Sequence, residues 1–226
     1  MIKRIKNWIC VAGFCLLFAP GYAQTDSLER IAKSDAEQVK KAKEWVESLS
    51  LQDDTKRQHV QMVIATHLKA VRDWHNSHPF TEVPAGINPA TGTALSELDR
   101  QMIADSAMPD DVHQQLMDGL RKDLNELQVA TILDKYTVGK VAFTTKGYEA
   151  IVPDLTLEER EMIKQNLEQA REQAVDYKSM KQISAIFEIY KTKIEQYFNT
   201  NGRNWQQLFK TYVDAVKAKK AKEGKQ

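Results

Sequence analysis

Apolar residues recur along most of this chain at intervals of three and four, the spacing that lines one face of a helix. A charged stretch at about 35–48 carries a weak face through Val39, Ala42 and Val46. From Ser50 onward, Val60, Val63, Ile64, His67, Val71 and Trp74 fall on one stripe, and Pro79 ends it by forcing the preceding residue out of the helical region. Helices are expected at about 96–106 and 111–123, the second with Leu116, Leu120 and Leu124 in register. The phase breaks there, because Val129, Ile132 and Leu133 face elsewhere, and Asn125 with Gln128 forms a capping box that starts a new helix. Thr156 with Glu159 starts another, followed by Ile163, Leu167, Ala170, Ala174 and Tyr177. A further stripe runs from Ile183 to Phe198, Asn201-Gly202 makes a turn, and Trp205, Leu208, Phe209, Tyr212 and Val216 mark a last helix. The best strand candidate, Val138 to Thr145, is too short to build a sheet. The pattern therefore predicts an all-α, single-domain bundle of about seven helices, with one long Pro/Gly loop over residues 79–95.

The ends read differently. Lys3, Arg4 and Lys6 precede an apolar run from Trp8 to Phe18, and Gly21-Tyr22-Ala23 supplies small residues, so a secretion signal cleaved after Ala23 is expected. The run is too short for a permanent membrane span. Cys10 and Cys15 suggest a lipoprotein as the competing reading, but neither follows the usual Leu-x-small pattern. Residues 1–23 thus form the leader, 24–216 a helical domain, and 217–226 a Lys-rich tail. Export implies a periplasmic or secreted protein without a stable membrane span after cleavage. Both cysteines leave with the leader, which removes disulfides, thiol nucleophiles and Cys-ligated metals from the mature chain. Three of the 32 basic residues leave too, so 29 face 31 acidic ones, and nucleic acid is not an expected partner.

The chemistry-bearing residues form no familiar signature. There is no Gly-x-Ser-x-Gly elbow, phosphate loop or dinucleotide fingerprint, and no cofactor is expected. His67 falls inside the apolar stripe and His75 at its edge. Eight residues between them mean about 12 Å of helical rise, too far to share one metal. Val71, not an acid, stands at i+4 from His67, so no metal site is expected and His67 reads as a histidine bonded to a neighbouring helix. Arg72, Asp73, His75 and His78 suggest a polar cluster near the mouth of the Pro/Gly loop. The acidic pairs Asp53-Asp54, Asp110-Asp111 and Glu158-Glu159 sit in helix first turns, where capping accounts for them. Tyr136 and Tyr148 bracket the connector from Gly139 to Gly147, where side chains are less committed to a core. The candidate ligand-binding set is His67, Arg72, Asp73, His75, Tyr136, Lys146, Tyr148 and Arg171.

At this connector the chain resembles a known family. The residues are Tyr136-Thr137-Val138-Gly139-Lys140-Val141, Thr145-Lys146-Gly147-Tyr148 and Ile151-Val152-Pro153-Asp154-Leu155-Thr156, followed by Glu158-Glu159. Ala170-Arg171-Glu172, Ala174, Asp176, Ile186-Phe187, Tyr190-Lys191 and Arg72-Asp73-Trp74-His75 extend the match. This is similar to an uncharacterised family of exported helical proteins from polysaccharide-degrading Bacteroidota. Gly147 and Thr145 depart from its Ala and Tyr. The resemblance implies a setting near glycan-breakdown machinery and supplies no active site to carry over. Three readings follow. The first is a non-catalytic accessory or binding protein with an oligosaccharide or other periplasmic proteins as partners. The second is an enzyme in which His67 or His75 meets Arg72, Tyr136, Lys146 and Arg171 in one cleft. The third is a periplasmic chaperone-like scaffold, because Leu155-Thr156 and Leu124 with Gln128 echo the Leu-Thr-x-x-Gln motif of helical-hairpin chaperones.

Overall fold

The computed structural model describes residues 22–89 and 91–223; the expected leader, as far as Gly21, lies outside the described residues, as does Lys225 of the tail. Among the described residues the chain forms nine helices, two more than the periodicity suggested, and its only β pairing is a single antiparallel bridge between Ile87 and Ala94. The first helix, α1 (Tyr22–Glu47), begins in a unit that ends at Glu37 and runs on into a second unit, Gln38–Gln226, which holds the rest.

In the second unit the order is α2 (Asp54–Ser77), α3 (Glu97–Asp105), α4 (Asp110–Asp123), α5 (Glu126–Tyr136), α6 (Lys140–Ile151), α7 (Leu157–Ala174), α8 (Met180–Thr200) and α9 (Trp205–Glu223). Both expected capping boxes form. Asn125 and Gln128 bond reciprocally at the start of α5, and Thr156 and Glu159 do so at α7. Ser96 with Asp99 and Ser179 with Gln182 make two more, at α3 and α8. Ser50 does not start α2. It takes a left-handed φ of 52° after α1, and Asp53 is the cap, its carboxylate accepting from the N–H groups of Thr55 and Lys56.

The segment Val138 to Thr145, rejected as a strand on the sequence, leads into α6 and forms its first turns. Val138 and Gly139 both adopt positive φ (53° and 67°), which closes α5 and launches α6 within three residues. The periodicity is weak there because most of α6 faces outward; Phe143 is 79% exposed, while Tyr148 and the capping Val152 turn inward. That inward turn also overrides the expectation for Tyr136 and Tyr148. Both are buried, Tyr148 at 2% exposure, because each sits on a helical face rather than in an open connector.

Two apolar clusters result. The first joins the end of α1, α2, α4 and α5 through Val46, Val60, Ile64, Leu116, Leu120 and Ile132. The approach of α2 to α4 is close: a Cβ on Gly119 would stand 2.7 Å from both methyls of Val63. The second cluster joins α6, α7 and α8 through Tyr148, Ile163, Leu167, Ile186, Ile194 and Phe198. Arg203, just before α9, clasps the start of α7, donating to both oxygens of Glu159 (2.5 and 2.8 Å) and to Asp154 at 3.0 Å. The Pro/Gly loop begins with a 3-10 turn, Phe80–Glu82, and is held to α3 by Arg100, which donates to the Val83 carbonyl, and by Gln101, which accepts from the Phe80 N–H. Among the described residues no helix is long and apolar enough to cross a membrane.

Candidate functional site

Polar groups gather where the two apolar clusters meet. Asp176 lies in the short link between α7 and α8, and its carboxylate receives two imidazoles: His67 of α2 at 3.0 Å through Nε2, and His113 of α4 at 2.8 Å through Nδ1. The outer ring nitrogen of His113 is 3.7 Å from Glu172 of α7. Tyr136, at the end of α5, sets its ring edge-on to His67 with centroids 5.4 Å apart. The Nδ1 of His67 and the hydroxyl of Tyr136 are both buried without a hydrogen-bond partner among the described residues, an arrangement that costs free energy unless something satisfies it.

The electrostatics follow from these contacts. Burial pushes the Asp176 carboxyl up, but the bonds to His113 and His67 outweigh it and leave the group below the usual carboxylate range. The same bond to Asp176 raises His113 above an ordinary histidine, against the opposing effect of burial. Burial, with the Asp176 charge behind it, holds the Tyr136 phenol well above its usual range, so it stays protonated. Asp176 is therefore a fixed anion, and His113 beside it holds its proton more tightly than a free imidazole.

A second polar node adjoins the first. Asp105, buried at the end of α3, accepts from Gln182 of α8 (2.5 Å) and Gln101 of α3 (2.9 Å), and pairs with His75 of α2 at 2.7 Å. With His59, which meets Asp123 at the end of α4, α2 carries a histidine every eight residues, at 59, 67 and 75, each on the carboxylate of a different segment. Outside these nodes, two adjoining cavities of about 500 and 200 Å³ share Asp110, His113, Gln173 and Asp176. The larger is a groove between α4 and α7 that adds Gln114, Gln169, Glu172 and Tyr190. Among the described residues, no three His, Asp or Glu side chains form a set able to hold a metal ion.

The structure divides the expected residues. His67 and Tyr136 meet at Asp176, and His75 stands at the neighbouring node. Arg72 is buried and bonds Asp73 at 2.8 Å, while Asp73 is otherwise exposed. Arg171 turns to Asp134 of α5 at 3.0 Å. Lys146 and Tyr148 line a separate groove between α6, α8 and α9. The constellation imagined for an enzyme, with Lys146 and Arg171 beside His67, does not assemble in one cleft.

Sequence reasoning passed over His113, Asp105 and Gln182. His113 was within reach, because it stands three and seven residues before Leu116 and Leu120, on the buried stripe of α4. Asp105 and Asp176 carry no local signal; the one ends α3 and the other lies in the α7–α8 link, and the histidines that meet them lie on other helices. An all-helical protein with a half-buried carboxylate–imidazole centre opening onto a polar groove is the class that fold and site define. More particularly, the chain belongs to DUF3826, a family of proteins of unknown function, whose pattern matches residues 35–218. No curated protein sequence matches the chain.

Proposed function

We propose that this protein is an exported accessory protein of glycan utilisation that binds an oligosaccharide in the groove between α4 and α7. The observation that carries this reading is the groove's lining. Gln114, Gln169 and Gln173 each present a donor and an acceptor on one amide, which matches a hydroxyl, itself donor and acceptor. The carboxylates of Asp110 and Glu172 accept from sugar hydroxyls, and the ring of Tyr190 offers an apolar face to a sugar's C–H side. The leader pattern at residues 1–23 supports export, and the resemblance at the α5–α7 segment supports the glycan setting. Isothermal titration of the processed chain against plant and bacterial oligosaccharides tests it. We expect saturable binding of at least one, weakened tenfold or more (about 1.4 kcal/mol) in Gln169→Ala/Gln173→Ala, whose side chains are exposed and leave the fold intact. No binding across the panel would sink the proposal.

A second reading rests on His113 alone. An imidazole oriented by a half-buried carboxylate, with its other nitrogen at the groove, has the form of a general acid–base. Incubation of bound oligosaccharide with wild type and with His113→Gln, followed by mass spectrometry, separates the two. Turnover lost in the variant while binding persists would establish catalysis, and an unchanged ligand would leave the binding role.

A further inference from the structure

The groove between α6, α8 and α9 stands apart from the carboxylate–imidazole centre, and nothing in the reading above uses it. It holds about 760 Å³, within the range of small-molecule sites. Its aromatic character is continuous with the core. Phe198 stacks on Trp205 with ring centroids 5.8 Å apart and planes within 6°, and Trp205 stacks in turn on Phe209 at 6.1 Å. The series ends in the groove, where Phe209 is 48% exposed on α9 and Phe143 is 79% exposed on α6. Two large apolar rings left open to water on the walls of one groove are the mark of a surface kept for contact.

The charged groups around these rings are unevenly engaged. Lys191 is tied to Glu188 by bonds of 2.9 and 3.0 Å, so this pair is internally neutral. Lys140 lies over the Phe187 ring at 5.7 Å and makes no salt bridge among the described residues. Lys146 makes no hydrogen bond or ion pair among the described residues. Glu195 is the remaining acid; burial raises its carboxyl above the usual range, with Lys191 opposing and Glu188 adding to the rise, and Lys140, Lys146 and Lys191 face only Glu188 and Glu195 along the groove. The balance is positive.

From the rings and the lysines together, we infer that this groove binds a flat aromatic carboxylate, its ring received by Phe143, Trp205 and Phe209 and its carboxylate by Lys146 and Lys140. A cation against an aromatic-bound anion in a partly desolvated groove selects for both features at once. The site is independent of the oligosaccharide groove, and its test shares no residue with that one.

The probes are trans-cinnamate and its uncharged methyl ester, titrated by calorimetry into the processed chain. Cinnamate should bind saturably at one site, with the ester at least tenfold weaker. Lys146→Glu should weaken cinnamate tenfold or more and leave the ester unchanged. Phe143→Ala/Phe209→Ala should weaken both, and because these rings are exposed the thermal melt should not move. Equal binding of acid and ester, or binding indifferent to Lys146→Glu, would overturn the inference. So would the absence of saturable binding, or a dimer on gel filtration that Phe143→Ser dissolves, which would show that the rings serve a second copy of the chain.

Discussion

At the scale of single residues, His113 and Asp176 set a pH dependence whose direction follows from their shifts. His113 holds its proton more tightly in the fold than in the unfolded chain, so its bond contributes fully below about pH 6.5 and fades as pH rises through its higher folded value. Asp176 is the reverse, contributing fully above about pH 3.9 and fading as pH falls below that. Replacing His113 by Gln should therefore cost most stability between about pH 4 and pH 6.5, and clearly less at pH 9; urea unfolding at the three values measures it. Two glycines separate steric from conformational demand. Gly119→Ala drives a methyl into the stiff Val63 side chain across the α2–α4 contact, and should cost about 1–3 kcal/mol. Gly139→Ala meets open space but must hold a φ of 67°, for a loss of about 1 kcal/mol by thermal denaturation.

At the scale of elements, the sequence was most legible where one face is buried and a polar residue starts the helix. Helices α5 and α7 show both signals, and their caps form as expected. Helix α6 shows neither, because it begins at a left-handed glycine without a side-chain cap and keeps Phe143 in solvent, so its letters imitate a short strand. The site was half legible for a related reason. Periodicity marks His67 as an odd polar residue on a greasy stripe, but it is silent about a partner 109 positions away, and Asp176 meets it only because the fold brings the α7–α8 link against α2.

At the scale of the whole second unit, two apolar clusters meet across a band of hydrogen-bonded ionisable groups instead of merging into one oily interior. Such a band weakens the coupling between them, since each polar contact returns little net free energy after desolvation. Hydrogen exchange should accordingly resolve two groups of protected amides, one in α2 and α4 and one in α7 and α8, opening with separate free energies. Asp176→Asn should widen the gap between the two groups; a single common exchange rate would show that the clusters unfold as one. The histidines at 59, 67 and 75 carry a consequence for how the chain avoids misassembly. Greasy stripes tolerate sliding, because one methyl-lined surface fits another at several offsets. Three imidazoles spaced about 12 Å apart, each answering to an acid on a different segment, do not. A slip of α2 by one turn would break all three pairs together, so these hydrogen-bonded contacts serve as alignment marks that permit a single seating of the shaft among its neighbours.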